Sequence, residues 1–168
     1  MVRVLFAVLA LALPVVALGQ ANGADWSYEG GAVPIAYVDN GAAQFQFACR
    51  GDDLAMGFWV RAPHRQVAGA AVLSLALDID RAKGARVDAG GGSRFAQDMP
   101  LIHSDGASMI IRGPVARQWA GLAQRAKSSI ALAFVRSSAK GTLDMFDVQR
   151  FGAGGSSAAI GRVLDQCG

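Results

Sequence analysis

The chain contains two histidines, and one of them stands beside a serine and an aspartate. His103, Ser104 and Asp105 supply the three residue types of a serine hydrolase: a base, a nucleophile and an orienting acid. Three adjacent residues cannot easily form a mutual relay, however, and Ser-Asp-Gly is a common turn sequence. The chain also has no G-x-S-x-G nucleophile elbow. A small hydrolase that uses His103 or His64 is therefore an alternative function, and we predict no catalytic residue.

Metal and cofactor chemistry is not favoured either. The histidines occur in no H-x-x-x-H or H-E-x-x-H pattern, so a zinc site would need carboxylates to complete it. Asp78 and Asp80 share a strand face and adjoin two basic residues, which indicates surface ion pairs rather than a calcium site or an acid–base pair. We expect no cofactor and no metal.

Three aromatic residues are the candidate binding surface for a sugar or a peptide: Phe58, Trp59 and Trp119. Because aromatic residues in strands are usually part of the core, packing is the competing interpretation. Gly57 precedes this aromatic pair inside a predicted strand, where glycine marks a bulge or a close backbone approach. An exposed strand edge would offer a partner a second route of binding.

The glycine-rich segment 152–155 raises the question of a phosphate-binding loop. Such a loop needs a following lysine, or a third glycine where Ser157 stands, and this segment has neither. It indicates instead the start of a helix, with Ser156 or Ser157 as the N-cap. Four later residues recur at the spacing of one helical face, namely Ile160, Val163, Leu164 and Cys167.

The two cysteines are both expected to point inward. Cys49 alternates with Phe45 and Phe47 on the apolar face of a predicted strand, and Cys167 lies on the apolar face of the last helix. An even, small count of cysteines in an exported chain indicates a disulfide, although two free thiols or a bond between chains are alternatives. A Cys49–Cys167 bond would close a loop of about 119 residues and stabilise the fold by roughly 4–5 kcal/mol.

Residues 1–21 have the layout of a secretory signal peptide, with Arg3 followed by an apolar run and then small residues. The apolar run of about 15 residues is shorter than the roughly 20 that span a bilayer, and an uncleaved anchor is the alternative. We expect residues 22–168 to form one exported domain, periplasmic or secreted, with no membrane span. Without Arg3 the net charge of +3 falls to +2 and includes no basic run, so no nucleic-acid partner is predicted.

The sequence of residues 22–168 predicts a mainly β fold. Asn40-Gly41 between the apolar segments 33–39 and 42–50 is a strong hairpin signal. Alternating segments at 54–61, 70–80, 95–113, 128–137 and 142–151 bring the count to about seven or eight strands. Segment 114–126 has helical periodicity, with Val115, Trp119, Leu122 and Ala126 near one stripe. We expect an antiparallel β-sandwich or half-open barrel with two helices, the C-terminal one disulfide-linked to an early strand.

The order of these elements resembles that of a set of small exported proteobacterial proteins, which includes VasI-like proteins associated with type VI secretion and uncharacterised alphaproteobacterial proteins. The matching residues are Phe47-Ala48-Cys49-Arg50, Phe146-Asp147-Val148, Gly154-Gly155-Ser156, Ala159-Ile160 and Cys167. The resemblance implies a periplasmic, non-enzymatic protein. We therefore expect an exported accessory or binding protein that contacts another envelope protein; a small-ligand-binding module and the hydrolase are the alternatives.

Overall fold

The computed structural model describes residues 25–68, 70, 73–80, 95–98, 101–103, 106–137 and 143–167. The predicted signal peptide at 1–21 and the predicted turn at 104–105 lie outside these ranges. In chain order the elements are β1 (Ser27–Glu29), β2 (Ile35–Asp39), β3 (Ala43–Arg50), β4 (Asp53–Val60), α1 (Arg65–Ala68), β5 (Leu73–Ile79), β6 (Phe95–Asp98), β7 (Leu101–His103), β8 (Gly106–Arg112), α2 (Pro114–Arg125), β9 (Ser129–Ser137), β10 (Leu143–Gly152) and α3 (Ser156–Leu164).

The strands form two antiparallel sheets, which confirms the predicted mainly β class. The first sheet has the order β1-β2-β3-β4-β8-β7, and the second has the order β10-β9-β5-β6. The described residues thus hold ten strands, more than the sequence indicated, because segment 95–113 contributes three short strands and 27–29 pairs with β2 as β1. The short helix α1 was also not predicted.

The inner faces of the two sheets enclose the core. Strand β3 buries Phe45, Phe47 and Cys49 while Gln44 and Gln46 face outward, as the period-two pattern predicted. Across the core, the Phe58 ring of the first sheet lies 5.2 Å from the Phe134 ring of the second. Aromatic rings at this separation contribute packing energy beyond the area they bury. The two sheets therefore form a β-sandwich.

Helices α2 and α3 pack against each other and against the first sheet, with α3 on β1, β2 and β3 and α2 on β4 and β8. The buried face of α2 consists of Trp119 and three alanines, Ala116, Ala120 and Ala123. Val115, Leu122 and Ala126 of the predicted stripe are half-buried and pack against the core, while the fully buried positions belong to Trp119 and the alanines. None of the helices in the described part of the chain is long and apolar enough to cross a membrane.

The start of α3 corrects the predicted serine cap. The N-cap is Gly155, whose φ of 76° is a left-handed conformation that glycine adopts without a steric penalty. Ser156 is the first helical residue, and its buried hydroxyl donates a hydrogen bond to the carbonyl of Ala123 at 3.0 Å. Ser157 is exposed. The first serine thus joins two helices instead of capping one.

The predicted disulfide is present between Cys49 at the end of β3 and Cys167 just beyond α3. Their Cα atoms are 5.6 Å apart, within the usual range for a disulfide, and both residues are buried. Arg117 of α2 donates a hydrogen bond to the Cys167 carbonyl at 2.8 Å. The C-terminus is therefore fixed to both the first sheet and the neighbouring helix.

Candidate functional site

The three aromatic residues predicted as a binding surface do not lie together on the surface. Phe58 and Trp119 are completely buried in the core, where Phe58 packs between Phe134 and Phe151. Trp59 is half-buried on the opposite face of β4. Strand periodicity separates neighbours in sequence onto different faces, so Phe58 and Trp59 cannot share a platform. Of the three, only Trp59 is available to a ligand.

Trp59 lines a concave recess of about 320 Å³ on the outer face of the first sheet. The recess, which we call the outer trough, is lined chiefly by Gln44, Gln46, Gly57, Trp59, Ser108 and Ile110. These residues come from three adjacent strands, β3, β4 and β8. Each occupies an outward-facing position, so the trough is separated from the core by the sheet itself.

Gly57 gives the trough its depth. The pairing of β4 with β3 and with β8 is regular across this residue, so the predicted bulge is not present. A Cβ atom at this position would lie 3.1 Å from both Cγ and Nε2 of Gln46, closer than most side-chain contacts. A Cβ would therefore require Gln46 to shift by a few tenths of an ångström, and a larger side chain such as valine would also fill the floor. The predicted close approach is present instead, because the side chain of Gln46 on β3 lies against the backbone of Gly57 on β4.

Arg61 and Gly106 fix the position of the Trp59 indole. The guanidinium of Arg61 lies over the ring, 4.6 Å from its centroid, in a cation–π arrangement. Asp39 in turn accepts two parallel hydrogen bonds from Arg61, at 3.1 and 2.5 Å. These bonds hold the pKa of Asp39 below its ordinary value. On the neighbouring strand, a Cβ at Gly106 would come within 2.5 Å of the indole nitrogen, so this residue must be glycine.

The polar groups of the outer trough are uncharged. Gln44 Nε2 donates a hydrogen bond to Gln46 Oε1 at 3.4 Å, which uses one donor of the first amide and one acceptor site of the second. Each amide has two donor hydrogens and an oxygen with two lone pairs, so the pair retains capacity for both donating and accepting. The trough can therefore satisfy a ligand that carries both kinds of group.

A second recess of about 240 Å³ continues the trough along the same strands. It shares Gln46, Gly57 and Ile110 with the first. Its far end carries charge, where Arg112 pairs with Asp53 at 3.1 Å. Asp53 is six residues from Trp59 along β4. At the rise of an extended strand, the two recesses together run about 20 Å.

His64, one of the two predicted alternative catalytic bases, has a different set of contacts. Its ring stacks on Phe146 at 5.4 Å, and its Nδ1 accepts a hydrogen bond from the Gln66 backbone at 3.3 Å. Asp147 accepts a hydrogen bond from the backbone N–H of His64, not from its ring. This arrangement positions the segment before α1 against β10. It gives the imidazole no nucleophile to activate among the described contacts. His103 belongs to β7, but its side chain lies outside the described residues.

The structure corrects the predicted surface position for Asp78 alone: Asp80 is exposed, and the predicted ion pairs with Arg81 and Lys83 involve residues outside the described ranges. Asp78 is only 3% exposed, on the outer face of β5. Asp80 follows the strand with a φ of 56°, and its carboxylate accepts hydrogen bonds from the backbone N–H groups of residues 127–129. These bonds hold the pKa of Asp80 below its ordinary value, the one from Ser128 contributing most. Asp80 thus fixes the loop that leads into β9.

Sequence reasoning singled out Trp59 and Gly57 but missed the glutamines and Ser108 as parts of one site. The available signal was the polar, uncharged half of the alternation in β3, which places Gln44 and Gln46 on one face. Nothing in the sequence indicated that β8 would pair with β4 and bring Ser108 opposite Trp59. Comparison of the chain with protein families, with curated proteins and with solved structures finds no match.

Proposed function

We propose that this chain is an exported, non-catalytic binding protein and that the outer trough is its binding surface. The observation that carries the proposal is a concave, uncharged cluster on the solvent-facing side of a sheet whose other side forms the core. The site is pre-formed, since its aromatic residue is held by Arg61 and its floor is backbone. Pre-formed concave sites with a few placed polar groups are typical of ligand binding.

Two further features support export and a binding role. The layout of residues 1–21 is typical of a signal peptide, and the buried disulfide is compatible with an oxidising compartment. The outer trough is lined by amide, indole, hydroxyl and aliphatic groups, none of which titrates near neutral pH. A general acid or base would have to come from elsewhere, so the chemistry of the lining favours binding over catalysis.

Contact with an envelope protein is a second candidate role, and a different region supports it. Strand β10 forms one edge of the second sheet, and its pairing with β9 shifts register between Phe146 and Gln149. Val148, within this irregularity, is a large apolar residue that is 44% exposed. The role in secretion that the family resemblance implies stays a prediction.

The test compares retention of envelope components by matched variants. Four oxidised proteins would be immobilised: the wild type and the variants Gly57→Val, Trp59→Ala and Tyr37→Ala. Each would be exposed to a solubilised envelope fraction of the cells that naturally make the protein. Tyr37 is the control, because it lies on the same outer face, in β2, but outside the trough. We expect one component to be retained by the wild type and Tyr37→Ala and lost from both trough variants.

Equal retention by all four proteins, or retention by none, would contradict the proposal. Val148→Asp provides the arm for the second candidate. If this variant alone loses the component, the binding surface is the edge of β10 and not the trough. Far-ultraviolet circular dichroism of each variant checks that the fold is kept.

A further inference from the structure

The geometry of the outer trough points to a ligand class, and we propose that it binds an extended, uncharged, hydroxyl-rich chain, an oligosaccharide. This inference rests on the proposed function and makes it specific. It follows from three properties: the aromatic wall of the trough, its paired neutral amides, and the length of the trough together with the second recess, which exceeds one sugar unit.

The aromatic wall is the indole of Trp59. Sugar rings carry C–H groups on their faces, which pack on aromatic surfaces while their hydroxyls remain free to form hydrogen bonds. Arg61 occupies one face of this indole, so a ligand in the trough would contact the remaining surface that lines it. Because Arg61 is itself tied to Asp39, the ring is held in place before a ligand arrives. A pre-positioned aromatic residue lowers the entropy lost on binding.

The amides of Gln44 and Gln46 match hydroxyl groups in kind. A hydroxyl both donates and accepts, and so does a primary amide, whereas a charged side chain does only one of these. Neighbouring hydroxyls on a sugar ring can engage the oxygen and the nitrogen of one amide together. The contact between the two glutamines, at 3.4 Å, aligns them along β3 and leaves further donor and acceptor capacity. The polar part of the trough thus suits a polyol.

The same features disfavour an anion and a peptide. The outer trough itself is lined by no lysine or arginine, which phosphate or sulfate recognition would use. The second recess contains Arg50 and Arg112, of which Arg112 is paired with Asp53. A peptide that adds to a sheet does so at an edge, where backbone groups are unpaired. The trough lies on the face of β3, β4 and β8, whose backbones are already paired with one another. The outer trough and the second recess together run about 20 Å, at the rise of an extended strand, which leaves room for several linked sugar rings.

Isothermal titration calorimetry on the oxidised protein tests this inference with defined probes. The probes are a β-1,4-linked glucose hexamer, a β-1,4-linked N-acetylglucosamine hexamer, glucose, and a ten-residue peptide of glycine, serine, threonine and asparagine. We expect at least one hexamer to bind, at least tenfold more tightly than glucose. Trp59→Ala and the double variant Gln44→Leu/Gln46→Leu should each weaken that binding at least tenfold, while Tyr37→Ala should change it less than twofold.

The outcomes separate this inference from the proposed function. Binding of the peptide but of neither hexamer would overturn the oligosaccharide inference; if Trp59→Ala abolished the peptide binding, the trough would still be the binding surface. Binding of neither class would also overturn the inference, while the envelope-retention test above decides the function independently. Hexamer binding that is unchanged in both trough variants would overturn both. The melting temperature of each variant excludes unfolding as the cause of a loss.

Discussion

The two faces of strands β3 and β4 are built from the same short stretches of sequence and have opposite properties. Inward, Phe45, Phe47 and Phe58 are completely buried, and each contacts an aromatic ring outside its own strand. Outward, Gln44, Gln46 and Trp59 are half-buried and line the outer trough. The inner face is packed by large apolar groups, whereas the outer face has a glycine at its centre. Alternation at period two lets one strand pair serve stability on one side and recognition on the other.

The difference between the two faces predicts what a substitution on each face will affect. Residues on the inner face are each in contact with several neighbours, so removal of one leaves a cavity that the rest cannot fill. Residues on the outer face end in solvent or in the trough, so their removal alters a surface. We therefore expect substitutions on the inner face to reduce stability and those on the outer face to affect binding.

The largest expected effect comes from the disulfide at the end of the inner face. Replacing both cysteines, Cys49→Ser with Cys167→Ser, should lower the free energy of unfolding by about 4–5 kcal/mol, because the bond constrains a long loop in the unfolded chain. The residues are separated by 118 positions. Chemical denaturation measures the loss, and reduction of the wild type should reproduce it. A loss below about 1 kcal/mol would mean that packing alone holds α3 on the first sheet.

A pair of adjacent substitutions in β3 tests the contrast directly. Phe47→Ala removes a buried ring that stacks on Trp26 and contacts Phe45 edge to face, and should reduce stability by about 3–5 kcal/mol. Gln46→Ala, one residue away on the outer face, should change it by less than about 0.5 kcal/mol. Urea unfolding monitored by circular dichroism gives both values. Equal losses would show that the two faces do not differ in the way described.

Much of the inner face could be predicted from the sequence. The alternation in β3 correctly predicted that Phe45, Phe47 and Cys49 share a buried face. The helical spacing of Ile160, Val163 and Cys167 did the same for the end of the chain, and all three are buried. Both patterns are local and repeated, so they hold whatever the remainder of the chain does. Together with the even count of cysteines they predicted the disulfide, although α3 ends at Leu164 and Cys167 lies just beyond it.

The outer trough could not be predicted in the same way, because it depends on pairing between distant segments. Ser108 lies opposite Trp59 only because β8 pairs with β4, and the intervening residues give no sign of it. The sequence left Trp119 open between the core and a binding surface for a related reason: its burial depends on α2 packing beside α3 and β4. A local sequence pattern shows which face of its strand or helix a residue occupies. It does not show which other element packs against that face.

The junction of α2 and α3 allows a smaller and more local test of inner packing. Ser156→Ala removes the hydroxyl that bonds the Ala123 carbonyl and leaves that buried acceptor without this donor, which should lower stability by about 1 kcal/mol. Ser157→Ala is the control, since Ser157 is exposed and should have almost no effect. Thermal unfolding of the two variants distinguishes them. If Ser157→Ala were the more damaging change, the cap predicted from the sequence would be correct after all.

The smallest effect concerns the charged pair that holds the outer face in place. The hydrogen bonds from Arg61 keep the pKa of Asp39 below its ordinary value of 3.8, so the pair contributes stability above that pH. The contribution is lost as the pH falls from there through the pKa of the folded state. Arg61 would then lose its charged partner but keep its hydrogen bond to the Gly41 carbonyl, so its position over the indole should loosen. The fluorescence of Trp59 should therefore change at a midpoint below pH 3.8. Asp39→Asn should remove this transition and Trp59→Phe should remove the signal. Asp53→Asn, which breaks the pair with Arg112 at the far end of the second recess, should leave both intact. A transition that persists in Asp39→Asn would mean that another group controls the indole, and that the trough is positioned by the sheet rather than by this pair.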